Sequence, residues 1–399
     1  MRMLFARTAC VWKEFLIMKR WLCMLLVLVL GAGWAYAAPL ETEVPLELTS
    51  PSAMLVEAET GTVIFEKGAD ERRQVASVTK LMTLLICMEK LEAGEISLTD
   101  QVTVSPEAAG QIGSQALLDA NAAYPLETLL HATIIASAND AACALAEYMA
   151  GTESAFADLM NQRAQELGMK DTFYVNSTGL PDNAQYTTAR DVAVLACEVC
   201  KHPLYFEHAS VWMDTLTHPS GRTTDLTNTN RLVRFYDGCD GLKTGSADVS
   251  KYCLVSTAQK NGLRLIAIVL GTPVSQTRFD EARAMMDYGF ASYKRVTLLQ
   301  AGDRLGKTVR VRLGMQEELE AAAGSGVSML IRPGQEKQLS MEVELPEEVN
   351  APVKQGDTLG VVRVLLNGEI IAKLPAVASE DVGMPGLLEG FVRLFANWR

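Results

Sequence analysis

Histidine is scarce in this chain: four residues in 399, at His131, His202, His208 and His218. No G-x-S-x-G string accompanies them, so a serine hydrolase that relies on a histidine base has no anchor in the sequence. No two histidines stand at zinc-ligand spacing, which argues against a zinc peptidase and leaves no metal to expect. Positive charge is also short, with 36 Lys and Arg against 48 Asp and Glu, a formal charge of −12. No basic stripe with interleaved aromatics breaks that balance, so nucleic acid is excluded as a partner. No string calls for a cofactor.

Long apolar runs are missing too. The one concentrated stretch, Trp21 to Leu30, is too short to span a bilayer as a helix. It follows Lys19-Arg20 and precedes Ala35-Tyr36-Ala37, the order of a secretory leader with its small-residue cleavage site. Residues 1–37 are therefore expected to be cut off before Ala38 and the mature protein exported, to the cell wall, the periplasm or the outer face of the cytoplasmic membrane. Two starts stay open, Met1 and Met18, because Met18-Lys19-Arg20 is itself how such a leader begins. The leader removes five basic side chains and one acidic one, which moves the formal charge to −16.

Six cysteines remain after the leader: Cys87, Cys143, Cys197, Cys200, Cys239 and Cys253. Export permits disulfides, yet a domain of this size does not need them, and the apolar surroundings of Cys87 and Cys143 read as buried free thiols. Cys197 and Cys200 form C-x-x-C with no second pair at zinc spacing, so a structural reading is preferred.

What is present falls into a clear order. Ala53–Glu57 and Val63–Phe65 flank Thr60-Gly61 as a hairpin, and Tyr252–Ala258 and Leu263–Leu270 flank Asn261-Gly262 as another. Between them the chain is mainly helical. Leu81 to Met88 is apolar on nearly every side, a helix inside the core, whereas Phe156, Leu159, Met160, Ala164 and Leu167 make a one-sided stripe between Thr152 and Gly168. Ser275 to Tyr293 reads as a last helix. The pattern predicts an α+β fold over 38–295, an antiparallel sheet carrying helices. After Val296 the texture turns to alternation, as in Val309, Val311, Leu313 and in Leu339, Met341, Val343, Leu345, so 296–378 is expected to be a small all-β domain. Residues 379–399 form a linker and an amphipathic helix with Leu387, Leu388, Phe391, Leu394, Phe395 and Trp398 on one face. That face suits a membrane interface, with docking on the β domain as the alternative.

Three short strings carry the chemistry: Ser77-Val78-Thr79-Lys80, Ser137-Ala138-Asn139 and Lys243-Thr244-Gly245. A serine hydroxyl needs an adjacent base, and Lys80, one turn further along a helix start, shares a face with Ser77. The free N–H groups of that helix start favour an oxyanion beside Ser77. Burial among Leu81 and Met82, together with a second cation such as Lys243, would lower the Lys80 pKa toward that of a usable base.

These strings occur together in penicillin-binding proteins and class A β-lactamases. Their flanks, Gln74 to Thr83, Asn139-Asp140-Ala141, Ser177-Thr178-Gly179-Leu180-Pro181 and Asp240 to Gly245, resemble the low-molecular-weight serine-type D-alanyl-D-alanine carboxypeptidases of peptidase family S11. The resemblance implies a β-lactamase/penicillin-binding-protein-like fold and removal of the terminal D-alanine from peptidoglycan stem peptides, with β-lactam antibiotics as covalent inhibitors. It implies an acyl-enzyme on Ser77, Lys80 as base, and Ser137 as proton relay to the leaving D-alanine. Asn139 would hold Lys80 and the substrate amide, Lys243 and Thr244 the terminal carboxylate, and Gly245 would let substrate lie against the strand. Backbone N–H groups of Ser77 and Ser246 would form the oxyanion hole, with Arg278 a further substrate contact. No glutamate-x-x-asparagine lies between the second and third strings, which disfavours a β-lactamase. A D,D-endopeptidase or transpeptidase, or a non-catalytic envelope-binding homologue, remains the alternative.

Overall fold

The computed structural model describes residues 46–386, so the leader, both starts and the helical tail lie outside the described residues. Ser52–Glu57 (β1) and Val63–Lys67 (β2) pair as the expected hairpin. Cys239–Ala247 (β3), Lys251–Lys260 (β4) and Leu263–Thr272 (β5) complete an antiparallel sheet in the order β2-β1-β5-β4-β3. Asn261 and Gly262 turn β4 into β5 with φ of +51° and +79°, the left-handed pair that a two-residue hairpin turn requires.

The sheet is covered on both faces, which is why its strands read as continuous apolar runs. Along β1, Met54 and Val56 face one core cluster with the helices, while Ala53 and Leu55 face a second with Phe279, Met285 and Met286 of the closing helix. Lys80–Glu92 (α1) lies inside the first cluster and buries every residue from Lys80 to Met88. Leu126–Ile135 (α2), Asn139–Ala150 (α3) and Glu153–Glu166 (α4) surround it. Thr152 caps α4 by accepting from Ala155 N at 3.1 Å, and Gly168 leaves the helix at φ +77°, as its sequence signals predict. Ser275–Ser292 (α5) closes the other face. All six described cysteines are free thiols.

Downstream, Lys294–Leu299 pairs with Val327–Ile331 as a two-stranded ribbon. A six-stranded sheet follows, built from Arg304–Arg312 (β6), Glu318–Ala323 (β7), Leu339–Glu344 (β8), Glu348–Asn350 (β9), Thr358–Leu366 (β10) and Glu369–Ala378 (β11), in the order β8-β10-β11-β7-β6-β9. The β-rich reading agrees in kind, with Val309 and Val311 turned inward. The alternation breaks at Leu313: β6 ends at Arg312, and Leu313 turns out to solvent with φ +59°.

One buried carboxylate joins the fold to the site. Asp140, in the first turn of α3, accepts from the backbone N–H groups of Ala116 and Ala141 on one oxygen and Leu118 on the other, at 2.9, 3.0 and 3.0 Å. It holds the 114–118 segment against the start of α3, where Asn139 N donates to Ser114 O. Asp140→Ala strands these donors, so urea unfolding is expected to show a loss of about 3 kcal/mol or more.

Candidate active site

Ser77 sits in a tight 3₁₀ turn, Ala76–Thr79, that runs directly into α1 at Lys80. Two backbones press on this turn. A Cβ at Gly245 would fall 2.2 Å from Val75 O, and one at Gly179 would fall 2.0 Å from Ala76 O. Between them Ala76 is held at φ +48°, a region an L-residue occupies only under such constraint. Gly245 thus has a packing duty the sequence did not disclose: it lets β3 pass against the turn that carries Ser77.

Lys80 is fully buried, and its Nζ has three neighbours: Ser77 Oγ at 3.0 Å, Asn139 Oδ1 at 2.6 Å and Thr178 O at 2.7 Å. The last two are carbonyl oxygens that only accept. A neutral amine has two N–H groups and one lone pair, so donating to both carbonyls aims the lone pair at the Ser77 hydroxyl. Burial pushes the Lys80 pKa far below the usual lysine range and the charge of Lys243 pushes it further, against the weaker opposing pull of Asp140 and Glu153. Lys243 is also fully buried, and burial with the charge of Arg278 brings it down to about 7. Both lysines are pushed toward the neutral form, and it is Lys80 that touches the Ser77 hydroxyl.

The second string supplies two different side chains. Asn139 Oδ1 holds Lys80, and its Nδ2 donates to Ile112 O, which orients the amide. Ser137 has φ +61° and is 2% exposed. Its Oγ, like Lys243 Nζ, is buried with no hydrogen-bond partner among the described residues. Buried polar atoms rarely stay unpaired, and these two belong to the very residues expected to meet substrate.

The third string is tied through Thr229 to the end of α2, two residues before the second string begins. Thr229 N donates to Ile135 O at the end of α2, and Thr229 Oγ1 lies 2.8 Å from Thr244 Oγ1. Ser246 is exposed, opposite Tyr252 in the β3–β4 register. Arg278 lies on α5, 9% exposed, with Nη1 donating to Gly245 O at 3.0 Å and Cys253 O at 3.2 Å and Nη2 to Ser275 Oγ at 3.3 Å. Its guanidinium is engaged with the backbone of β3 and β4. Its contact with the reaction, as placed here, runs through the position of Gly245 and the electrostatics of Lys243.

Thr178, Thr229 and Glu153 are the site residues that sequence reasoning missed. Thr178 acts through a carbonyl, which no side-chain pattern reveals. Its loop is lashed by Glu153 to Ser177 Oγ at 2.7 Å, by Thr83 to Ser177 O at 2.7 Å, and by Asn176 Oδ1 to Gly179 N at 2.7 Å. The histidines are paired elsewhere: His202 with Glu92, His218 with Tyr124, and His131 with His208. No group of three or more metal-ligating side chains occurs among the described residues.

A serine and a buried lysine of lowered pKa at the start of a core helix, facing a lysine on a sheet strand, define an acyl-transferring serine peptidase of the penicillin-binding fold. The sequence profile of D-alanyl-D-alanine carboxypeptidase, peptidase S11, matches residues 39–274, and that of the penicillin-binding protein 5 C-terminal domain matches 293–384. The chain is 35% identical over 348 residues to the D-alanyl-D-alanine carboxypeptidase DacF of Bacillus subtilis, covering 87% of this chain and 89% of the relative. Penicillin-binding protein 5 of Haemophilus influenzae superposes with a TM-score of 0.75 at 29% identity, over 86% of this chain and all of that one. Penicillin-binding protein D2 of Listeria monocytogenes, solved in an ampicillin-bound form, superposes at 0.53 and 31% identity, over 61% of this chain and 99% of that one. The chain belongs to the S11 family of D-alanyl-D-alanine carboxypeptidases, low-molecular-weight penicillin-binding proteins acting on peptidoglycan.

The lowered Lys243 pKa has a consequence for stability. The unfolded chain binds the proton at pH values where the folded chain has lost it, so this group opposes folding most below about pH 7 and least near its unfolded pKa of 10.5. Lys243→Met removes the opposition. The variant is expected to melt higher than wild type at pH 6, by several kcal/mol of stability, with the gap closing toward pH 10.

Proposed function

We propose that Ser77 Oγ attacks the carbonyl carbon of the penultimate D-alanine of a peptidoglycan stem peptide while Lys80 Nζ takes its proton. The observation that carries this reading is the three-way contact of Lys80, in which two carbonyl acceptors would take the N–H groups of the neutral amine and turn its lone pair to Ser77. The oxyanion is received by the backbone N–H groups of Ser77 and Ser246, the first at the helix start and the second on β3 next to Gly245. Ser137 Oγ passes the proton to the departing amine, the C–N bond breaks, and D-alanine leaves. Water then attacks the Ser77 ester and restores the hydroxyl. Lys243, with Thr244, binds the terminal carboxylate, and that anion favours the charged lysine. Asn139 keeps Lys80 in register, and Arg278 positions the strand edge along which the peptide lies.

The same steps make the protein a target of β-lactams, a reading supported by the ampicillin-bound relative. We place the enzyme outside the cytoplasm, on the strength of the leader in residues 1–37. The apolar face from Leu387 to Trp398 supports association with the membrane surface.

Two measurements test this. The mature chain should take up labelled penicillin and release D-alanine from a pentapeptide ending in D-Ala-D-Ala, and Ser77→Ala should abolish both. Wild type that takes no label overturns the mechanism, and labelling without D-alanine release points to an endopeptidase. The acylation rate should rise with pH as Lys80 loses its proton and fall again as Lys243 loses its own. Lys80→Met should be slower by at least ~100-fold and flat over the rising limb.

A further inference from the structure

Two histidines that take no part in the acyl transfer are pressed together in the helical layer. His131 on α2 and His208 on the helix Pro203–Ala209 bring their Nδ1 atoms to 3.0 Å, with ring centroids 5.2 Å apart. A contact between two ring nitrogens needs an N–H on one side and a lone pair on the other, so it holds only while no more than one ring is cationic. With both rings cationic, N–H faces N–H.

The surroundings make the second charge the costly one. His131 Nε2 lies 3.0 Å from Asp214 Oδ2, off the line of a hydrogen bond but close enough for a charge on that ring to have a carboxylate beside it. His208 is 8% exposed, and its Nε2 is buried with no hydrogen-bond partner among the described residues. In the cationic ring that atom is an N–H without an acceptor. The other charged groups at the pair are Glu127, one turn before His131 on α2, and Glu207, beside His208. Both are exposed, and with Asp214 and the two rings they line a cleft of about 490 Å³. Burial lowers the His208 pKa and the charge of His131 lowers it further, against the pull of Glu127 and Glu207.

The two helices that carry the pair end on one short segment. Thr229 N donates to Ile135 O, at the last residue of α2, and Asn228 Nδ2 donates to Ala209 O and Val211 O at 2.8 and 2.9 Å, at the end of the other helix. Asn228 and Thr229 are thus suspended between the helices, and Thr229 Oγ1 meets Thr244 Oγ1 of the third string. Tyr205, one turn before His208, donates to Leu242 O next to Lys243 at 3.3 Å. Ser137 follows the end of α2 by two residues.

We propose that the His131–His208 contact is an acid-sensitive joint: charging both rings parts α2 from the helix Pro203–Ala209, shifts Asn228 and Thr229, and weakens the hold of Thr244 and Ser137 on the peptide. This rests on the reading that those two residues meet substrate. Binding of the D-Ala-D-Ala end and loss of one proton from the pair are then linked events.

A pentapeptide ending in D-Ala-D-Ala, titrated by NMR into the mature chain 38–399 carrying Ser77→Ala, reads this without turnover. The comparison is between about pH 7.5 and about pH 5.5, both high enough to keep the peptide carboxylates ionised. Affinity is expected to fall about tenfold at the lower pH, the factor that one coupled proton contributes per pH unit below its pKa. Adding His208→Asn, or His131→Asn on the other helix, leaves one titratable ring and an amide in place of the second. Either should reduce the fall to less than about twofold and keep the affinity near pH 7.5. Melting gives a second readout, because His208 binds a proton less readily folded than unfolded: wild type loses stability as pH falls through 6.5, and His208→Asn should lose less. Equal affinity at the two pH values, or a fall that survives both histidine substitutions, overturns the proposal and leaves the mechanism standing. A Ser77→Ala chain that binds no pentapeptide at the higher pH overturns the reading of Thr244 and Ser137 as substrate contacts, and the proposal with it.

Discussion

The buried amine of Lys80 is the constraint around which this structure is organised. A lysine without solvent must lose its proton or find compensation, and here the surroundings favour loss: burial, and the charge of Lys243. Two carbonyl acceptors then decide which way the free electron pair points. Each acceptor has its own support. Asn139 is aligned by the 112–114 backbone, which Asp140 secures through the residues that follow, and Thr178 sits in a loop tied to Glu153, Thr83 and Asn176. The base's direction is thus inherited from segments far apart in the chain.

The position of Ser77 is set by contact on two sides. β3 and the 176–180 loop approach the Ala76–Thr79 turn so closely that only glycine is accommodated at 245 and 179. The unusual backbone of Ala76 is the strained conformation this compression sustains, and Ser137 carries a second positive φ, +61°, at the start of the Ser137-Ala138-Asn139 string. Arg278, drawn onto the Gly245 and Cys253 carbonyls from behind, keeps β3 at its distance and raises the local positive potential felt by Lys243.

Much of the architecture was legible because its signals are local. Asn261-Gly262 marks a hairpin by backbone preference alone, Thr152 and Gly168 mark the limits of a helix, and the uninterrupted apolar surface of Leu81 to Met88 allows only a core position. The β-rich domain was legible from alternation, with exceptions at Met341, which is exposed on β8, and at Leu313. There a periodic pattern was read one residue too far, because periodicity records which residues are apolar and not where a strand stops.

The sequence by itself determined the family and the candidate reacting groups with their order, since Ser77, Lys80, Ser137, Asn139 and Lys243 carry their chemistry in their side chains. It also determined the layered fold, through apolar runs and turn residues. Only tertiary structure decided what state those groups are in. The lowered pKa of Lys80 depends on depth and on a lysine 163 positions away, its placement depends on the carbonyl of Thr178, and the tie of the third string to the end of α2 depends on Thr229. Those are properties of distance and exclusion of water, which arise when separate segments meet and have no representation in the order of residues along the chain.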